Sequence, residues 1–334
     1  MTPGGIHYAT YFDRYYLSRG LALYRSLVRH SPPFVLWILC LDDETQRTLA
    51  RLRLEHVELI PLADLEQEDR GLAAAKGTRR AVEYYWTCGP AFLLYLLGQH
   101  LRIDTITYLD ADLFFFGDPR PIYAELADGS VGVFEKRRPP VADPRLRAHF
   151  ASFGSYNVGL VAFRRTADGL ACLRWWRERC LEWCFDRIEP GRYGDQKYLD
   201  EWPARFGGVR ALRHAGGGVA PWNLARHRFR RAGGRVWVDR DPLIFYHFVH
   251  FRTVTAWLYD TGLWRYRRHL PWTVRRHVYV PYARGLRAAG RMIRTAGGRV
   301  HPVDNLRDGR SRAASLARML RQRSFLVVTD SFVL

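Results

Sequence analysis

Lysine is scarce in this 334-residue chain: of 52 basic residues only Lys76, Lys136 and Lys197 are lysines. Arginine supplies the rest, a bias that a GC-rich genome alone produces, so its abundance assigns no partner. Cysteine is scarce too. Five residues (Cys40, Cys88, Cys172, Cys180 and Cys184) are too few, and odd in number, for a disulfide framework. Cys180 and Cys184 have the spacing of a metal pair, but no second pair completes it. Leu173, Trp176 and Trp183 around them instead predict a buried helix face. Long apolar runs are missing: the longest, Phe34 to Leu41, has eight residues, where a membrane-spanning helix needs about 20. The first 20 residues lack the apolar stretch of a secretory signal and contain Asp13, Arg14 and Arg19. The expectation is a reduced, cytoplasmic protein.

What is present bounds the rest. With 48% apolar and 14% aromatic residues, the chain can bury one large core or two modest ones, and collagen-like or disordered classes are excluded. The net charge of +19 is uneven: residues 263–334 hold 16 Arg against Asp304, Asp308 and Asp330, a net of +13, leaving +6 for residues 1–262. This predicts a folded body over 1–262 and a basic, partly helical C-terminal extension over 263–334. In that extension Arg265, Arg267, Arg268, Arg275, Arg276, Arg284, Arg287, Arg291 and Arg294 alternate with Trp264, Tyr266, Trp272, Tyr279, Tyr282, Leu286 and Ile293. Basic residues mixed with aromatics suit an anionic membrane surface; a solvated, partly disordered extension fits as well. Nucleic-acid binding ranks below both, because no recognition motif accompanies the charge.

The first third alternates short apolar strands (6–12, 34–41, 57–61) with helical patterns (17–29, 43–54, the second capped at Asp43). That rhythm predicts an α/β fold with a mostly parallel sheet flanked by helices, whose ligands bind beyond the carboxyl ends of the strands. Residues 78–101 read as a long helix interrupted near Gly89-Pro90, and 105–109 as a strand running into Asp110-Ala111-Asp112. Further strands are expected at 130–135 and 156–163, a Trp-rich helix at 170–187, loops with one short helix over 191–223, and two strand-like runs within 236–252.

In an extended chain, Asp110 and Asp112 point the same way. Two neighbouring carboxylates repel unless a cation sits between them, and Mg²⁺ or Mn²⁺ held by one or two carboxylates takes phosphate oxygens as its other ligands. Asp-x-Asp at a strand end therefore suits a metal–diphosphate, although surface turn aspartates have the same spacing.

The context narrows this. Tyr108-Leu-Asp110-Ala-Asp112-Leu-Phe-Phe-Phe116 resembles the Asp-x-Asp element of GT-A nucleotide-sugar glycosyltransferases, family 8 in particular. Tyr156-Asn157-Val158-Gly159, Gly194-Asp195-Gln196-Lys197-Tyr198-Leu199, Trp222-Asn223 and Phe245-Tyr246-His247-Phe248 follow in that family's order, so the resemblance spans residues 6 to about 252. It implies a catalytic domain over 1–262 and transfer of a sugar from a nucleoside-diphosphate donor, UDP-linked in the family, to a glycan or lipid-linked acceptor in bacterial surface polysaccharide assembly. Retention of anomeric configuration is implied, with Mn²⁺ or Mg²⁺ held by Asp110, Asp112 and His247. Asp195 and Gln196 match the positions nearest the sugar. Thr10, Tyr11, Asp13, Asp110, Asn157, Trp222 and Asn223 match donor-binding positions. Lys76 and Arg79, with Arg80, precede a helix on the side from which the family approaches the phosphates; as plain surface charges they would look the same.

Two features depart from the family. Its Gly-x-x-Lys-Pro-Trp element is missing after His247, and His250 stands as a rival ligand, on the opposite face from His247 if the stretch is extended. Gly216-Gly217-Gly218 either brings backbone close to a ligand or forms a flexible loop. Tyr84, Trp86 and Thr87 either line the acceptor side or pack their helix. The rival functions are a haloacid-dehalogenase-like phosphatase, whose Asp-x-Asp wants Thr or Val where Phe114 stands, and a non-enzymatic basic anion-binding protein.

Overall fold

The computed structural model describes residues 5–140, 142–266, 270–301, 317 and 319–329. Arg267 and Arg268 of the basic extension, with Asp304, Asp308 and Asp330, lie outside them.

A seven-stranded sheet forms the centre. Its strands are β1 (Ile6–Phe12), β2 (Phe34–Cys40), β3 (Val57–Pro61), β4 (Thr105–Leu109), β6 (Val131–Glu135), β7 (Tyr156–Arg164) and β8 (Val209–Leu212), with β5 (Leu113–Phe115) leaving the sheet just after β4. The order is β3-β2-β1-β4-β7-β6-β8. β3, β2, β1 and β4 run parallel, β7 is antiparallel to both β4 and β6, and β8 is parallel to β6.

Alternation along the strands builds two cores. Ala9, Trp37 and Leu39 face one side with Tyr84, Phe92, Leu96 and Trp176. Tyr8, Phe12, Leu36 and Ile38 face the other, against Leu17, Leu21 and Leu27 of helix α1 (Leu17–His30). The continuous apolar run of β2 is thus buried on both faces, as its lack of alternation predicted.

Several local expectations shift. The helix after β2, α2 (Asp43–Leu52), is capped by Asp42, not Asp43: its carboxylate accepts from Thr45 N at 2.8 Å. The helix Ala81–Gln99 runs straight through Gly89-Pro90. Pro90 removes one helical donor, but Cys88, Ala91, Phe92, Leu93 and Leu96 are all buried around it, and their packing outweighs that loss. β8 lies in a stretch expected to be loops, because its four residues are too short to show a period. The five cysteines are free and buried; Cys180 lies on the helix Ala167–Glu182 and Cys184 just beyond its end.

The basic C-terminal stretch shares its core with the rest of the chain. The helix Val280–Thr295 packs on α1 and buries Tyr282, Ala283, Leu286, Ala289 and Ile293. Leu258–Asp260 pairs antiparallel with both Arg252–Thr253 and Phe325–Val327. Of the aromatics that suggested a membrane-facing surface, Tyr279 and Tyr282 are therefore interior, while Trp272 is 68% exposed. Among the described residues no helix is long and apolar enough to cross a membrane.

Candidate functional site

β4 ends at Leu109, and Asp110 continues the ladder by donating its N–H to Gly159 O at 2.9 Å. A tight turn follows, closed by Leu113 N to Asp110 O at 3.0 Å, and sends the chain into β5. β5 pairs antiparallel with Phe245–His247, which sets His247 opposite Leu113. His247 N donates to Val219 O (2.9 Å) and Phe248 N to Asp112 O (3.0 Å), so backbone bonds on both sides fix the position of the histidine.

The side chains converge as a result. His247 Nε2 lies 3.0 Å from Asp112 Oδ1 and 3.4 Å from Asp110 Oδ2. One ligand atom from each of the three residues falls within 4.8 Å of the others. The other ring nitrogen, Nδ1, is 3.2 Å from Asn157 Oδ1, and that oxygen also accepts from Gly159 N at 3.1 Å. An amide oxygen can only accept, so Nδ1 carries a proton there, and Nε2 is left to face the carboxylates. Gly159 is required at this spot. A Cβ there would sit 2.6 Å from Asn157 Oδ1 and 2.7 Å from His247 Nδ1.

Electrostatics follow from the geometry. Burial works to lower His247, but Asp112 and then Asp110 outweigh it and hold the imidazole above its usual 6.5. Burial raises Asp110, with His247 opposing. For Asp112 burial again works upward, yet the His247 charge and hydrogen bond prevail and hold it low. Without a metal this is an ion pair with a proton on Nε2. A divalent cation would replace that proton and bind two hard carboxylates and one imidazole, a donor set that suits Mn²⁺. The residues therefore fit the expected ion.

A pH dependence follows. The His247 ion pair stabilises the metal-free protein fully below about pH 6.5 and is lost as pH rises through the raised value. Mn²⁺ affinity must run the opposite way, because binding displaces that proton. Calorimetric titrations of Mn²⁺ between pH 5.5 and 8.5 are expected to show affinity climbing with pH; a flat or falling profile refutes the ligand set.

The other predicted residues distribute as follows. Thr10 is fully buried on β1, and its Oγ1 has no hydrogen-bond partner; the same holds for Trp222 Nε1, whose ring stands edge-on to His247 at 5.5 Å. Tyr11 lies tilted against Tyr108 (5.3 Å), whose hydroxyl donates to Asp110 Oδ1 at 2.8 Å. Asp13 accepts from Tyr15 N and Tyr16 N, closing the turn into α1. Asn223 is fully buried and structural: its amide bonds Ala220 N, Lys136 O and Gly218 O. Gln196 bridges Asn157 Nδ2 (3.0 Å) and Phe153 O (2.8 Å). Asp195 is buried nearby, pushed up to about 8 by burial first and the Asp110 charge second.

Lys76 and Arg79 are engaged elsewhere. Lys76 pairs with Glu66 at 2.7 Å, and Arg79 donates to Thr87 Oγ1 and Leu181 O. Arg80 pairs with Glu83. The chain does not stay extended after His247: it turns, with Phe251 N donating to Phe248 O, and His250 adopts a positive φ of 65° against Tyr266. Burial, Arg265 and Arg252 hold His250 down to about 4. Among the described residues, the group that could hold a metal contains His247, not His250. Gly216 and Gly217 lie against the Pro242 carbonyl and the Phe134 ring, so they serve close chain packing. Two residues escaped sequence reasoning: Arg19, whose guanidinium reaches Phe251 O (2.6 Å) and whose charge bears on Asp112, and Lys136. Only the rarity of lysine marked Lys136.

No family model matches the chain. Two Bacillus subtilis (strain 168) proteins do, both described as uncharacterized. YfnD is 33% identical over 283 residues (84% of this chain, 88% of YfnD), and YfnF is 36% identical over 258 residues (74% and 82%). The chain belongs to the YfnD/YfnF family. Among solved structures, the galactosyltransferase LgtC in complex with donor and acceptor sugar analogues is similar to this chain at 15% identity and a TM-score of 0.48, covering 91% of this chain and 99% of LgtC. Mouse xyloside xylosyltransferase 1 is similar at 14% identity and a TM-score of 0.44, covering 73% and 98%. The glycosyltransferase GlyE of Streptococcus pneumoniae TIGR4 is similar at 15% and 0.41; the match covers 66% of this chain and about half of GlyE, 48%.

Proposed function

We propose that the protein is a metal-dependent glycosyltransferase that moves a sugar from a nucleoside-diphosphate donor, UDP-linked by resemblance, to a glycan or lipid-linked acceptor. The observation that carries this reading is the Asp110–Asp112–His247 group at the carboxyl end of β4, with its imidazole tautomer set by Asn157. When bound there, Mn²⁺ or Mg²⁺ would supply Lewis-acid stabilisation of the leaving diphosphate.

The remaining work falls to the chain's own residues. Thr10 Oγ1 and Trp222 Nε1, buried and unpartnered, would take hydrogen bonds from or give them to the donor. Asp195, pushed up to about 8 by burial and the Asp110 charge, would serve as a hydrogen-bonding group at the sugar. Retention by departure and attack on one face, as the resemblance implies, needs no nucleophile from it. Lys76 and Arg79, each with a partner of its own, would need to be released to reach the phosphates, and so would Arg19 from Phe251 O, although its charge already bears on Asp112. A role in bacterial surface polysaccharide assembly, at the inner face of the plasma membrane, would use exposed Trp272 with Arg276, Arg284, Arg291 and Arg294 against anionic lipid. The phosphatase alternative is not favoured: its Asp nucleophile must be free, and Asp110 is held by Tyr108 and faces His247.

The test is a thermal-shift screen of nucleotide-sugars with and without Mn²⁺. One donor is expected to raise Tm only with the ion, equivalent to about 2.7 kcal/mol at 100 times Kd, and to be hydrolysed slowly. No shift with any donor in the presence of Mn²⁺ overturns the proposal.

A further inference from the structure

The metal ligand His247 is the end of a longer line of hydrogen bonds. Its Nδ1 donates to Asn157 Oδ1 (3.2 Å); Asn157 Nδ2 donates to Gln196 Oε1 (3.0 Å); Gln196 Nε2 donates to Phe153 O (2.8 Å). Lys136 Nζ donates to that same carbonyl at 2.6 Å, and to Gly154 O at 2.8 Å. Lys136 is only 5% exposed. Among the described residues no carboxylate pairs with it; its bonds go to two main-chain oxygens on the turn that leads into β7, the strand that carries Asn157.

Each link removes a freedom from the next. An amide side chain can flip, exchanging donor and acceptor. Gln196 cannot, because a flip would set its oxygen against the Phe153 carbonyl and its NH₂ against that of Asn157. Asn157 cannot, because its oxygen serves both Gly159 N and His247 Nδ1. The imidazole is therefore held in one tautomer, with Nε2 toward Asp110 and Asp112. A compact amine head suits the far end: burial first and the Arg138 charge second hold Lys136 down to about 6, and its N–H donors still reach two adjacent carbonyls.

We infer that Lys136 and Gln196 are positioning residues for the metal site, acting through Phe153 O and Asn157 to fix the ring of His247. This rests on the metal-site reading above and goes beyond it: it moves Gln196 from the sugar to the back of the metal.

Charge and positioning predict opposite signs. At a pH below about 6, where Lys136 carries its proton, a role through charge alone would make Lys136→Met strengthen Mn²⁺ binding. As an anchor of the line, its loss weakens binding. Supporting partners of a metal-bound histidine are worth on the order of 10–100-fold in affinity.

The experiment titrates Mn²⁺ into the full chain by calorimetry and records the electron paramagnetic resonance spectrum of the bound ion. Wild type, Lys136→Met, Gln196→Met and the double variant are compared, with Tm of each metal-free protein measured alongside. If wild type binds no Mn²⁺, the metal-site reading itself fails. Given wild-type binding, Gln196→Met is expected to weaken it about 10-fold and broaden the spectrum. Lys136→Met should weaken it less, in the same direction. Because the two act in series, the double variant should lose little more than Gln196→Met alone. Unchanged affinity in Gln196→Met with reduced turnover would return Gln196 to the sugar and overturn the inference. So would tighter binding by Lys136→Met, or a lowered Tm with unchanged affinity in both. Should Gln196→Met not fold, Gln196→Asn, one methylene shorter with its amide intact, is read for the same outcomes.

Discussion

Asp112→Asn is expected to lower Mn²⁺-dependent donor hydrolysis by roughly a thousand-fold, about 4 kcal/mol of transition-state stabilisation. The change keeps the size of the side chain and removes its charge. Asp112 Oδ1 is the nearest carboxylate oxygen to His247 Nε2, at 3.0 Å, and its side chain is 12% exposed. No neighbouring carboxylate can replace it, since Asp110 is already shared between Tyr108 and His247. The loss should fall on kcat and on Mn²⁺ affinity together, while Tm of the metal-free protein falls where His247 is protonated and changes little once pH has risen through its raised value. Steady-state hydrolysis across a range of Mn²⁺ concentrations checks this. Activity within threefold of wild type at saturating Mn²⁺ would remove Asp112 from the site.

Trp176→Ala is expected to produce the largest loss of stability, about 3–5 kcal/mol. Trp176 is fully buried between Phe163 (6.1 Å, stacked) and Trp202 (5.3 Å, edge-on), and its Nε1 donates to Asp195 O at 2.8 Å. Truncation leaves a large cavity and an unpaired carbonyl in the loop that carries Asp195 and Gln196. Trp176→Phe keeps most of the volume and loses only the donor, so about 1–3 kcal/mol is expected. Urea denaturation with both variants separates the two contributions. A loss under 1 kcal/mol in Trp176→Ala would mean that the Trp-rich face of this helix is not a close-packed core.

How much of this was legible beforehand depended on whether the signal was local. The apolar run of β2, the alternation of strands and helices and the position of Asp110 and Asp112 at a strand end are properties of a few adjacent residues, and they read correctly. Asn157, Asp195, Gln196 and His247 were visible through order and resemblance. What escaped was set by pairing across long separations. β5 has only three residues and exists because Phe245–His247 pairs with it. Asn223 matched a donor-site motif but is occupied by main-chain groups of its own loop. Pro90 signalled a break that burial overrides. Charge counting marked the C-terminal stretch as separate from the body, whereas its apolar positions fall at helical spacing and close the core beside α1: Tyr282 stacks on Phe248 at 3.7 Å and meets Phe114 edge-on at 5.7 Å.

The pairing of β5 with Phe245–His247 bears on synthesis. A ribosome delivers Asp110 and Asp112 long before it delivers the imidazole, and the aromatic support from Tyr282 comes later still. Until then two acids stand side by side without the imidazole that faces them. A nascent or truncated chain ending before residue 245 is expected to hold a divalent ion more weakly than the full chain.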